Sequence, residues 1–182
     1  MGVNLIKNLV DISETIVFAA IIFILVQFPL QARVVEGASM APELNKGERL
    51  FINKLMYKSF PDFFQNKYLF HPPKRGEIIV FTPPHDYERN FVKRVIGIPG
   101  DIIDIDGYHV YVNGEIQKFS LKKTDRIHEN YPVIVPEGEY FVLGDNRSKS
   151  LDSRNWGTLK EESIIGKVWL IYWPLEKITI YR

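Results

Sequence analysis

Asn90-Phe91-Val92-Lys93-Arg94-Val95-Ile96-Gly97-Ile98 runs through Pro99-Gly100-Asp101 into Ile102-Ile103-Asp104-Ile105-Asp106-Gly107-Tyr108-His109-Val110-Tyr111-Val112. The first nine residues are rich in β-branched and aromatic side chains and read as a strand over 90–98. Pro99-Gly100-Asp101 turns the chain. Asp106-Gly107 is a strong hairpin signal between two short apolar runs, and Asn113-Gly114 is a second one just beyond. The same pattern recurs on both sides. Arg49–Asn53, Glu77–Phe81, Tyr140–Leu143, Ile164–Ile171 and Ile178–Tyr181 are further short strands bounded by turn residues. The reading is mainly β: an antiparallel sheet or barrel-like domain over residues 34–182.

The amino-terminal part has a different character. Residues 12–30 are mostly apolar, with Asp11 placed to cap a helix and Pro29 to end it. About 18 residues at roughly 1.5 Å each give roughly 27 Å, enough to cross a bilayer core. We read residues 1–33 as an uncleaved membrane anchor with one transmembrane helix. A cleavable signal peptide is the main rival reading, opposed by the length of the run and by Asp11 and Glu14 beside it. The aromatic stretch 57–73 dips into the membrane interface or folds back on the core, two readings of equal standing.

Composition excludes several classes of function. With 182 residues, 46 % of them hydrophobic, and a net charge of +1, the chain is a folded domain plus an appendage. The neutral balance offers no footprint for nucleic acid. There is no cysteine, which removes disulfides, thiolate chemistry and Cys-ligated zinc. His71, His85, His109 and His128 do not have metal-ligand spacing.

Three stretches carry candidate chemistry. In Glu36-Gly37-Ala38-Ser39-Met40-Ala41-Pro42 a hydroxyl sits among small neighbours that let another backbone come close. Read alone, Ser39 is more often an ordinary loop serine, because serine is a weak nucleophile without a base. Strand alternation puts Phe91, Lys93 and Val95 on one face and Val92, Arg94 and Ile96 on the other, so one of the two basic residues faces an apolar environment unless the strand lies at an edge. A desolvated lysine loses its preference for the charged form and can act as a base. The edge-strand reading, in which both are solubility devices, is favoured on the strand alone. Gly144–Gly157 is dense in short polar groups, and Asp145, Arg147, Asp152 and Arg154 can hold such a loop rigid through internal ion pairs.

Taken together, Gly37-Ala38-Ser39-Met40-Ala41-Pro42, Lys93–Asp101 and the run from Gly144-Asp145-Asn146-Arg147 through Ser150, Asp152-Ser153-Arg154 and Trp156-Gly157 resemble bacterial type I signal peptidases, membrane-bound serine-lysine proteases. The resemblance covers nearly the whole chain. It implies that Ser39 is the nucleophile and Lys93 the general base, that Ser150 orients the amine, and that Asp152 and Arg154 form a structural ion pair. Val35, Gly37, Met40, Phe91 and Val92 correspond to substrate-pocket walls, and no metal or cofactor is required. The implied partners are the signal peptides of exported preproteins, membrane lipid and a nearby secretion translocon. The implied location is the bacterial cytoplasmic membrane, with the β domain on the extracytoplasmic side. Two positions depart from the pattern: Gly37 stands where some relatives carry a serine that donates to the oxyanion, and Glu43 where threonine is common. A self-cleaving repressor-type serine-lysine protease would carry a DNA-binding helical domain in place of the apolar span. An inactive membrane-anchored binding domain would lack Ser39 or Lys93.

Overall fold

A computed structural model describes residues 11–22, 29–58, 70–86, 88–107, 109–117 and 131–181. Among the described residues the pattern of short strands and tight turns gives twelve strands, all paired antiparallel. They are β1 (Leu30–Val34), β2 (Arg49–Asn53), β3 (Ile78–Phe81), β4 (Phe91–Gly97), β5 (Ile102–Ile105), β6 (Val110–Val112), β7 (Glu115–Ile116), β8 (Val133–Ile134), β9 (Glu139–Leu143), β10 (Leu159–Lys160), β11 (Ile164–Trp173) and β12 (Thr179–Ile180). The larger sheet runs β1-β2-β11-β3-β4-β9-β10, with β12 added to β11, and the smaller runs β7-β6-β5-β8. The mainly antiparallel β reading holds, and the barrel-like part of it takes the form of two sheets.

The turn chemistry explains the small sheet. Asn113 and Gly114 both take positive φ, 53° and 83°, and join β6 to β7 by the two-residue turn this dipeptide favours. The Asp106-Gly107 turn is wider than a two-residue hairpin, because Ile105 stands opposite Val110. The Asp106 carboxylate accepts from the His109 amide at 2.7 Å and so closes a four-residue loop.

Strand alternation sorts the core. Leu50, Ile52, Ile78, Val80, Val168 and Ile171 form one cluster with Val35, Met40 and Leu44. Ile79, Phe81, Val95, Tyr140 and Val142 form a second with Tyr57 and Leu159. The segment that carries Ser39 is therefore anchored on either side by buried apolar residues, Val35 before it and Met40 and Leu44 after it.

Residues 11–22 form a helix, α1. Of the rest of the expected transmembrane segment, residues 23–28 lie outside the described residues, and β1 begins at Leu30. Among the described residues no helix is long and apolar enough to cross a membrane. Most of the aromatic stretch, residues 59–69, and the polar connection 118–130 also lie outside the described residues.

Candidate active site

Position in the sheet decides what the adjacent basic residues do. β4 is an interior strand, hydrogen-bonded to β3 on one side and β9 on the other, which overturns the edge-strand reading of Lys93 and Arg94. Both side chains are buried. Arg94 turns toward the Gly144–Gly157 loop, where its Nε and Nη2 donate to the two oxygens of Asp145 at 2.9 and 2.7 Å, and its Nη1 donates to the Gly76 carbonyl at 2.7 Å. Burial lowers the Arg94 pKa, but the Asp145 bonds outweigh it and leave the guanidinium above its ordinary value. Such bidentate pairing fixes orientation as well as charge.

Lys93 has no such carboxylate in contact. Its Nζ donates to Ser39 Oγ at 2.8 Å and to the Val92 carbonyl at 3.0 Å, and lies 5.1 Å from the Phe91 ring centroid. Burial pushes the amine down to about 8, against an upward pull from the more distant Asp152 and Asp145. An amine in this state is readily deprotonated near neutral pH. Once neutral, it presents a lone pair to the hydroxyl it touches, which is the arrangement a general base requires.

The Gly144–Gly157 loop braces the serine. Asn146 donates from its backbone amide to the Ser39 carbonyl at 2.9 Å and from Nδ2 to the Ala38 carbonyl at 3.0 Å. Gly144 allows this contact: a Cβ at 144 would stand 2.5 Å from the Ser39 carbonyl oxygen and 2.6 Å from Ser150 Cβ. The sequence assigns no separate role to Asn146 or Gly144, although both lie in the Gly-Asp-Asn-Arg run. A residue pair that clamps a backbone leaves no mark beyond its type.

The loop itself is held from within. Asp152 and Arg154 are fully buried and form the expected ion pair, with Arg154 Nε 2.8 Å from Asp152 Oδ1. Asp152 Oδ2 also accepts from the Gly144 amide at 3.0 Å, and Arg154 Nη2 donates to the Arg147 carbonyl at 2.6 Å. Asp152 caps a short helix, α2 (Ser153–Trp156), in a capping box with Asn155. Of the four residues expected to pair within the loop, the other two turn elsewhere: Asp145 goes to Arg94, and Arg147 donates Nε to the Gly144 carbonyl, with burial pushing its guanidinium down to about 10. Ser150 Oγ is buried next to Gly144 without a hydrogen-bond partner, so the expected bond from Ser150 to the lysine amine is not made here.

Ser39 and Lys93 open into a cleft of about 540 Å³ lined by Val35, Gly37, Met40, Phe91, Val92 and Leu151, so all five expected pocket residues stand at it. Glu36, Glu88, Arg33 and Arg89 stand along the same cleft. No histidine lines it among the described residues. Along β4, β9 pairs only from Arg94 onward, leaving the Phe91–Lys93 backbone open on the cleft side. Val35 bonds through both its backbone groups to Glu48 and Gly47, so the main-chain groups of Val34 and Glu36 face the other way, where β1 has no neighbouring strand. A hollow of about 820 Å³ between Lys54–Lys58 and the 160–165 segment is larger but of mixed charge, and neither Ser39 nor Lys93 reaches it.

The sequence matches the family described as signal peptidase, peptidase S26, over residues 9–173. A probable signal peptidase I-2 of Synechocystis sp. is 34 % identical over 93 % of this chain and 76 % of its own length. A signal peptidase I P of Bacillus subtilis subsp. natto is 36 % identical over 94 % and 93 %. A signal peptidase IB of Staphylococcus aureus is 34 % identical over 91 % and 89 %. With a family match over nearly the whole length and relatives of this identity and coverage, the chain belongs to the signal peptidase family, peptidase S26, and is a serine peptidase of the signal peptidase I type.

Proposed function

We propose that this protein is a membrane-bound endopeptidase that removes signal peptides from exported preproteins with a Ser39–Lys93 dyad. The observation that carries the reading is the 2.8 Å contact between the Ser39 hydroxyl and an amine whose burial lowers its pKa to about 8. Neutral Lys93 takes the Ser39 proton as Oγ attacks the scissile carbonyl, then protonates the leaving amine. The Ser39 backbone N–H stabilises the oxyanion. Lys93 next activates a water that hydrolyses the ester. Val92 O steers the amine, and Ser150 Oγ, unpaired and buried beside Gly144, is the hydroxyl we assign to orient the amine when substrate excludes water.

The substrate lies extended between the open backbone of Phe91–Lys93 and that of Val34–Glu36, adding a strand to both edges. Apolar walls from Val35, Met40, Phe91 and Val92 suit small side chains at the cut and two residues before it. The apolar run that precedes β1 anchors the protein in the cytoplasmic membrane, and the β domain works on the extracytoplasmic side, near the translocon from which preproteins emerge. The apolar run of the sequence supports the anchor.

The deciding experiment is incubation of the purified protein with a preprotein, with the cut mapped by mass spectrometry. A single cut after a small residue, lost in Ser39→Ala, is the expected result. Cleavage at Phe or Arg, or cleavage retained without Ser39, would refute the assignment.

A further inference from the structure

The turn that follows Ser39 is fastened by residues from the far end of the chain. Lys177 Nζ donates to three acceptors in that turn: the Pro42 carbonyl at 3.3 Å, the Glu43 carbonyl at 3.0 Å and Glu48 Oε1 at 2.7 Å. An ammonium has three donors and all three are spent here. Tyr181 OH donates to Glu43 Oε1 at 2.8 Å. Glu43 is the position where the sequence departs from the usual threonine.

Both ends of this contact are fixed. Tyr181 donates its amide to the Trp169 carbonyl at 2.8 Å, and β12 pairs Thr179 and Ile180 with Ile171 and Leu170 of β11. On the other side, Leu44 is buried and donates its amide to the Met40 carbonyl at 2.9 Å, next to the serine. Glu48 returns the chain to Val35, whose amide donates to the Glu48 carbonyl at 2.9 Å. Glu48 is itself buried, and its Oε2 has no partner, so Lys177 and Asn45 are what compensate its carboxylate. The family match ends at residue 173. Lys177 and Tyr181 therefore act from beyond the span of the family match on the turn beside the nucleophile.

We propose that Lys177 and Tyr181 are positioning residues for peptide cleavage: together with Glu43 and Glu48 they clamp the Ala41–Glu48 turn and thereby hold Ser39 in register with Lys93. The proposal rests on the reading of Ser39 as nucleophile. A misplacement of an ångström costs on the order of tenfold to a hundredfold in rate.

The test uses the full chain. Lys177→Met should lower kcat for preprotein cleavage by roughly tenfold while KM stays within about twofold, and should speed amide exchange at Leu44 and Gly47. Lys177→Arg, which keeps the charge and several donors, should recover most of the rate. Lys177→Met also strands the buried Glu48 carboxylate, so the decisive variant is Glu48→Gln/Lys177→Met. It should regain thermal stability yet keep the low kcat, because the Pro42 and Glu43 carbonyls still lack the ammonium that joins them. Recovery of kcat together with stability would show that Lys177 only compensates a charge, and would overturn the proposal, as would an unchanged kcat in Lys177→Met. Failure of the nucleophile reading shows separately, as cleavage by Ser39→Ala, and leaves the exchange measurement intact.

Discussion

Lys93 and Lys167 are equally buried, 3 % and 2 % exposed, and both stand opposite Ile79 in the register of β3 with its two neighbours. They are treated in opposite ways. Lys167 meets Glu77 Oε1 at 2.6 Å, and Glu77 also accepts from Tyr57 OH and the Lys74 amide. Burial raises the Glu77 pKa, but these donors prevail and hold the carboxyl below its usual value. Among the described residues the Lys93 amine meets a hydroxyl, a carbonyl and a ring, and burial pushes it down to about 8. Burial alone therefore does not set what a lysine does in this sheet. A carboxylate in contact makes it a strut, and the lack of one makes it titratable.

The same substitution at both positions tests that contrast. Lys93→Met should abolish cleavage, by at least about a thousandfold in kcat/KM, as should Ser39→Ala and Lys93→Arg, since guanidinium stays protonated. Lys167→Met should leave the activity per folded molecule within about twofold of the wild type. Stability should move the other way. Losing Lys167 leaves the half-buried Glu77 carboxylate with only the Tyr57 hydroxyl and the Lys74 amide, and should cost about 1–3 kcal/mol in urea unfolding. Losing Lys93 removes a desolvation penalty, so the methionine variant should be more stable at pH 7 by up to about 3 kcal/mol. A destabilised Lys93→Met would mean that its amine is a strut after all.

A smaller effect follows from titration. The folded value of Lys93, about 8, lies below its ordinary 10.5, so between these limits the unfolded chain binds the extra proton. Stability should rise with pH across that window, and the penalty is present in full below pH 8. The rate should climb with pH on a limb centred near 8. Loss of that stability slope in Lys93→Met, with retention in Lys167→Met, would assign it. A slope unchanged by Lys93→Met would assign it elsewhere.

The sequence made the strands legible because alternation and turn residues act locally: Arg49–Asn53 and the Asn113-Gly114 turn needed no tertiary information. It also singled out Ser39, Lys93 and the 144–157 loop, through their resemblance to a family. What it could not show is which neighbour each polar group would take. Whether Lys93 sits at an edge depends on β9, fifty residues further on. Asp145 had two arginines within reach in sequence and chose Arg94, from a different strand. Glu77, read as the first residue of a strand, is the carboxylate that Lys167 needs, ninety residues away. Such pairings follow from topology, which side-chain periodicity does not encode.

The contrast between the two lysines extends to their surroundings, and the last prediction uses this. Around Glu77 donors and acceptors are matched, whereas the cleft side holds an unpaired Ser150 Oγ and a glycine at 37 where some relatives have a serine donor. The nearest atom to a Cβ built at Gly37 is the Ser39 amide nitrogen, at 4.0 Å, and Gly37 does not have the positive φ that a side chain would strain. A hydroxymethyl therefore fits, beside the amide that receives the oxyanion. Removing a preorganised oxyanion donor costs other enzymes about a hundredfold or more. A donor added without its supporting shell should return much less, so Gly37→Ser is expected to raise kcat by about two- to tenfold with KM little changed. The gain should vanish in Gly37→Ala, which has the same Cβ without the hydroxyl. Equal rates for the two variants would show that the side chain at 37 does not reach the oxyanion, and that the amide of Ser39 works with a different second donor.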